Sequence, residues 1–183
     1  MNTATYLDRL LLKYSNTFNI YKPFRIGARL YPAYGYFFSH NEKYVLVQEA
    51  NMWSADSYEH IIFRIEDQIT PECVKEAESL IKDEMESILV RKGEKLPAKN
   101  HMSSLLTVVL LGQQPISKET AKQIGRFKFD KGYQFNMRGY SRGRIGVVYN
   151  WYRGMDIFRK ISTNKRKILQ GYYCRTCLCE KGG

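Results

Sequence analysis

The stretch "MSSLLTVVLLG" (Met102–Gly112) is apolar and β-prone along nearly its whole length. A strand with one wet face alternates apolar and polar residues, because successive side chains point to opposite faces. From Leu105 to Leu111 only Thr107 interrupts the apolar run. The run predicts a central strand covered on both faces. Such a strand needs helices layered on the sheet. It is also far short of the ~20 residues that span a bilayer.

Upstream lies the strongest helix pattern, "TPECVKEAESLIKDEMESILV" (Thr70–Val90). Thr70 suits the N-cap and Pro71 the first helical position. At α-helical spacing Val74, Ala77, Ile81, Met85 and Ile88 form the buried stripe, with Glu76, Lys82, Asp83 and Glu86 outside it. "RKGEKLPAKNH" (Arg91–His101) is a polar connection into the central strand. Downstream, "SKETAKQIGRF" is a short helix capped by Ser117. At the start, "TYLDRLLLKYSNTF" sets Leu7, Leu10, Leu11, Tyr14 and Phe18 at helical spacing, and Thr5 with Asp8 fits a capping box. "RLYPAYGYFFSHNEKYVLVQEANMW" reads as a hairpin turning at His40–Glu42. "YEHIIFRIED" follows as a third strand.

The end of the fold depends on "FNMRGYSRGRIGVVYNWYRG" (Phe135–Gly154). Apolar residues at 133, 135 and 137 and at 145, 147, 149 and 151 predict a hairpin. A loop of Ser141, Arg142 and Gly143 pairs Tyr140 with Arg144, Met137 with Val147, Phe135 with Tyr149 and Tyr133 with Trp151. Gly143 then takes the left-handed loop position. The expected fold is a single α+β domain over residues 1–167. Its mixed sheet has about six or seven strands, with two or three helices packed on it. The order is helix, three strands, helix, strand, helix, then two or three strands. Residues 168–183 form a basic, cysteine-containing tail.

The helix, three-strand meander and following helix–strand pair resemble the core of restriction-endonuclease-like proteins in element order. "HMSSLLTVVLLG", "ISKETAKQIGRFKF" and "FNMRGYSRGRIGVVY" together resemble an uncharacterised family of small bacterial and archaeal proteins over about residues 5–160. That family has no assigned activity, so the resemblance implies no functional residues.

Hydrophobic residues at 44% and charged residues at 26% exclude a disordered chain. The 14 tyrosines suit a wet interface or a ligand cleft as well as a core. The net charge of +11 is unevenly placed: residues 121–183 hold 15 Lys/Arg against Asp130, Asp156 and Glu180. That asymmetry favours nucleic acid or another polyanion as partner. The first residues lack the basic n-region of a signal peptide. The expected compartment is the reducing cytoplasm, with the cysteines as thiols.

Few residues suggest chemistry. A restriction-type nuclease needs an acidic residue on one strand and Glu-x-Lys on the next, the carboxylates holding Mg²⁺. Glu49 and Glu59 supply carboxylates, but Ile61 stands where the lysine belongs. His60 is a candidate general base. His40, His60 and His101 are scattered, without metal-site spacing. Cys174, Cys177 and Cys179 can hold Zn²⁺, although only one arm of a four-ligand site is visible. No other cofactor is expected. Arg138, Tyr140, Arg142, Arg144, Tyr152, Arg153, Arg159 and Lys160 form the candidate nucleic-acid surface, where cations meet phosphate and rings stack on bases. The reading is therefore a non-catalytic polyanion-binding protein. The alternatives are a small-ligand or restriction-endonuclease-like enzyme with a degenerate site, using a Tyr-lined cleft, and a protein-interaction scaffold.

Overall fold

A computed structural model of the chain describes residues 3–43, 53–149 and 157–159. Helix α1 (Thr3–Tyr14) precedes three short strands, β1 (Asn19–Tyr21), β2 (Phe24–Ile26) and β3 (Arg29–Tyr31). Two long strands follow, β4 (Ala33–Lys43) and β5 (Trp53–Glu66). Helix α2 (Pro71–Ser79) runs directly into a π-helical segment, Leu80–Val90, and then the central strand β6 (His101–Gly112). Helix α3 (Lys118–Arg126), β7 (Phe129–Gly132), β8 (Tyr140–Tyr149) and β9 (Ile157–Arg159) complete the order.

The main sheet runs β1-β4-β5-β6-β8-β7, with β9 also paired to β8. Strands β5, β6 and β8 are parallel neighbours, and the other pairings are antiparallel. Strands β2 and β3 form a separate small hairpin. This is the expected single α+β domain with a mixed sheet. The central strand is covered on both faces. On one side α1 lays Tyr6, Leu7 and Leu11 over Ile61, Phe63, Val109 and Leu111. On the other, α2, the π-helical segment and α3 bury Val74, Ile81, Met85 and Ile124 against Ile62, Val108, Leu110 and Val147. Each fully buried aliphatic side chain contributes about 1.5–3 kcal/mol, so the two layers hold the sheet from both sides.

Three local expectations are corrected. First, β4 does not turn at His40–Glu42 but continues to Lys43, pairing His40 with Asp56 and Lys43 with Trp53. The expected second strand over 44–53 lies almost wholly outside the described residues. The helix α1 also begins at Thr3, ahead of the Thr5 capping box.

Second, the helix from Pro71 changes pitch. Thr70 caps α2 by accepting from the Cys73 N–H at 3.4 Å, as expected. Beyond Ser79 the winding is π-helical, and the Arg91 N–H reaches back five residues to the Glu86 carbonyl. In a π-helix a residue and its fifth successor share a face. Leu80, Ile81, Met85, Glu86 and Val90 therefore point inward, while Ile88 is 43% exposed. Glu86 and Ile88 exchange the places that α-helical spacing assigns them.

Third, the hairpin over 133–152 does not form in the expected register. Strand β8 pairs instead with β7, Gly132 opposite Tyr140 and Phe129 opposite Gly143. Residues 133–139 make a turn, with Phe135 and Met137 exposed rather than buried. Gly143 lies within β8, not in a loop. A β-carbon there would stand 2.7 Å from Ile81 Cγ2 and 2.9 Å from Phe129 Cβ. Its glycine serves the close approach of the π-helical segment, not a left-handed turn.

Candidate nucleic-acid interface

Strand β8 places Tyr140, Arg142 and Arg144 on one face, because alternate residues share a side. This is the α1 side of the sheet, since Val148 packs in the α1 core. Helix α1 covers only the half of that face near Ile61, Phe63 and Leu111. Over the other half Ser57, Glu59, Ser103, Leu105 and Thr107 stay only partly buried. Tyr140 is 38% exposed. The Arg142 guanidinium lies 5.5 Å from the Tyr140 ring centroid. Arg142 Nε also donates to Asp130 Oδ1 at 3.1 Å. Both partners are about half exposed, so the pair contributes ~1 kcal/mol at most and opens readily to a competing anion. Asp130, Gly132, Asn136, Tyr140 and Arg142 line a shallow recess beside it.

The turn bordering this recess is fixed from beneath by a buried carboxylate. Glu86 is 1% exposed. It accepts from Arg91 Nε at 2.8 Å, Lys131 Nζ at 3.0 Å and the Tyr133 hydroxyl at 2.8 Å. Burial pushes its carboxyl pKa up, but the hydrogen bonds from Arg91, Tyr133 and Lys131 outweigh that and hold it below the ordinary carboxylate range. The Tyr133 hydroxyl is raised above its usual range, chiefly by burial. Sequence spacing missed Glu86 because it assumed α-helical pitch.

Arg138 is tied down on two sides. Its guanidinium Nη1 donates to the Pro97 carbonyl at 3.2 Å, and its own carbonyl accepts from His101 Nδ1 at 2.9 Å. A carbonyl only accepts, so His101 carries its proton on Nδ1. Its Nε2 then accepts from the Ser104 hydroxyl at 2.8 Å. Arg159 lies in β9, its backbone opposite Val147. Tyr152, Arg153 and Lys160 lie outside the described residues.

The catalytic candidates do not assemble. Glu49 lies outside the described residues. Glu59 and His60 are neighbours on β5 and so point to opposite faces. Glu59 lies on the α1 side, where its charge adds to burial in raising the Tyr14 pKa to about 12. His60 lies on the other side, 4% exposed, with Nδ1 2.7 Å from the Tyr34 hydroxyl. Burial, then the positive charges of His101 and Lys92, lowers its pKa to about 4. The imidazole is buried among the rings of Tyr34, Tyr36 and Tyr58 and stays neutral at neutral pH.

All three histidines nevertheless gather on the side of the sheet opposite α1. His101 stacks on Tyr58 at 6.0 Å, and Tyr58 in turn stacks near His60 at 6.3 Å. His40 Nδ1 meets Asp56 Oδ1 at 2.5 Å. Asp56 also accepts from the Asn100 amide and from the Tyr58 hydroxyl. Of the 14 tyrosines, Tyr34, Tyr36 and Tyr58 belong to this aromatic–histidine row. Among the described residues no three His, Cys, Asp or Glu side chains converge to hold a metal ion. Cys73 sits in the first turn of α2 near Thr70. Cys174, Cys177 and Cys179 lie outside the described residues.

The chain belongs to the family defined as a domain of unknown function, DUF8052, which matches residues 2–153. This agrees with the expected resemblance to an uncharacterised family. No curated protein and no solved structure matches the chain.

Proposed function

We propose that this DUF8052 protein is a non-catalytic polyanion-binding protein that takes single-stranded nucleic acid on the half of its sheet that no described helix covers. The observation that carries the reading is the alternation of Tyr140, Arg142 and Arg144 onto one face of β8, at a part that no described helix covers. The guanidinium groups meet phosphates, and the half-exposed Tyr140 ring offers a base a stacking surface. The excess of positive charge over residues 121–183 supports the same partner by drawing a polyanion toward this end of the chain. Recognition through phosphates and ring faces carries little sequence preference.

The test is fluorescence anisotropy of a labelled oligothymidylate about 20 nucleotides long, titrated from low to physiological salt. Binding strengthens as salt falls. Arg142→Ala and Arg144→Ala each reduce the slope of log affinity on log salt by about 0.7, the value for one lost phosphate contact on a single strand. Asp130→Asn tightens binding, because it releases Arg142. Absence of binding at low salt overturns the reading.

A further inference from the structure

Gln134, Phe135 and Asn136 have φ values of 48°, 55° and 67°. L-residues enter this left-handed region singly, in turns, and rarely in a run of non-glycine residues. The run is held closed by backbone bonds: Met137 N–H to the Gln134 carbonyl at 3.0 Å, Arg138 N–H to the Tyr133 carbonyl at 3.1 Å and Gly139 N–H to the Asn136 carbonyl at 3.1 Å. The Tyr133 N–H closes the base of the turn on the Gly139 carbonyl at 3.0 Å. Below it the Tyr133 hydroxyl engages Glu86 and Ser141 at 2.8 Å each. Gly139, with φ of 74°, rests where a β-carbon would stand 2.2 Å from the Met102 carbonyl oxygen. The turn is strained and also anchored at both ends.

What this turn displays is the Phe135 ring, 101% exposed, with Met137 at 79% beside it. Neither adds to the core. Backbone strain that persists in a well-anchored turn, with an apolar ring turned outward, points to use of the ring. The surroundings narrow the choice of ligand. Asn136, the next residue, lines the recess with Tyr140 and Arg142. Lys131 and Arg138 flank the turn in sequence. Lys131 and Arg138 are engaged by Glu86 and the Pro97 carbonyl, so Arg142 is the cation on the recess. An exposed ring next in sequence to an amide that shares a recess with a guanidinium matches a nucleotide, whose base has an apolar face and whose phosphate is anionic.

We propose that Phe135 is a base-stacking residue, held out on the left-handed turn so that a base lies on its ring while the backbone phosphates run toward Arg142. This inference rests on the nucleic-acid reading above and assigns the contact that distinguishes a nucleic acid from other polyanions.

The experiment compares an oligothymidylate about 20 nucleotides long with an abasic deoxyribose-phosphate oligomer of equal length, on the full chain. Phe135→Ala lowers affinity for oligothymidylate roughly 5- to 100-fold and leaves the abasic oligomer unchanged. Phe135→Tyr keeps the affinity. Phe135→Trp gains a fluorescence signal, relative to the wild-type chain, that oligothymidylate quenches and the abasic oligomer does not. Far-ultraviolet circular dichroism checks that each variant is folded. Unchanged oligothymidylate binding by Phe135→Ala, or equal loss on both oligomers, overturns the stacking role and leaves the wider reading standing. A blue shift of the Phe135→Trp signal on phosphatidylserine vesicles, without quenching by oligothymidylate, overturns it in favour of a membrane surface. Failure of the wild-type chain to bind either oligomer overturns the nucleic-acid reading itself.

Discussion

The Tyr133 hydroxyl lies 2.8 Å from Glu86 Oε1 and 2.8 Å from Ser141 Oγ. One phenol therefore joins the π-helical segment, the exposed turn and β8. The contact to Glu86 is tertiary, 47 residues away in sequence, while Ser141 lies 8 residues on. It connects the helix layer to the candidate interface, so a change under the sheet alters the turn that borders the recess.

Removing the Glu86 carboxylate destabilises the fold. Glu86→Ala leaves Arg91, Lys131 and the Tyr133 hydroxyl without their shared acceptor and costs about 3 kcal/mol or more. Glu86→Gln keeps an acceptor for Tyr133 and costs less. The carboxyl pKa is lower in the folded protein than in the unfolded chain, so the unfolded chain binds the extra proton. The contribution is fully present above the ordinary carboxylate pKa and is lost as pH falls through the lower folded value. Urea unfolding midpoints at neutral and acidic pH check both points. The acid-dependent part of the loss is absent in Glu86→Gln.

His60 gives a second, separate pH effect. Its folded pKa of about 4 lies below the model-peptide value of 6.5. Below the unfolded value the unfolded chain gains a proton that the folded chain refuses. Stability is therefore full above about pH 6.5 and falls as pH drops toward the folded value, by on the order of 3 kcal/mol in all. His101 shifts in the same direction, chiefly through burial, and adds to it. Proton NMR of the imidazoles gives the direct check: the His60 resonance stays at its neutral position through pH 6.

Substitution of Gly143 separates two reasons for a glycine. If a left-handed turn required it, Asn would be tolerated better than Ala. In β8 the obstacle is contact with Ile81 and Phe129. Gly143→Ala then costs about 1–3 kcal/mol, and Gly143→Asn costs more than Gly143→Ala, since it adds volume and a polar group to a packed site. The order of the two urea midpoints decides.

The π-helical pitch predicts an unusual tolerance map. Ile88→Ser, at a position that α-helical spacing places in the core, changes stability by only ~0.5 kcal/mol, because Ile88 is 43% exposed. Ile81→Ala and Met85→Ala, both 0% exposed, cost about 2–5 kcal/mol. Thermal melting of the three variants checks the contrast.

The sequence alone determined the elements whose pattern is long and consistent. Leu105–Leu111 has too few polar residues to face water, so a central strand with helices on both sides follows from hydrophobic burial. Thr70 and Pro71 begin a helix because local bonds and a fixed φ require nothing distant. Thr17 and Phe18 bond back to Tyr14, so even the turn after α1 is local. These features depend on near neighbours, which a linear reading sees.

Tertiary structure decided the rest. The alternation in Tyr133–Met137 matches a strand, yet the preceding segment that pairs antiparallel with β8 is Phe129–Gly132, and Tyr133 is drawn instead to Glu86. Whether Glu86 or Ile88 faces inward depends on the pitch of a helix, which is π-helical over Leu80–Val90. The three histidines look scattered along the chain, but the register of β4, β5 and β6 brings His40, His60 and His101 to one face. The same register turns Glu59 away from His60. Glu59 and His60 are adjacent in sequence yet sit in different layers, because a pleated strand sends successive side chains to opposite sides. For the candidate interface, the sequence supplied the residue types Tyr140, Arg142 and Arg144. Only the tertiary structure shows that α1 packs over one half of that face, while no described helix covers the half that holds Tyr140, Arg142 and Arg144.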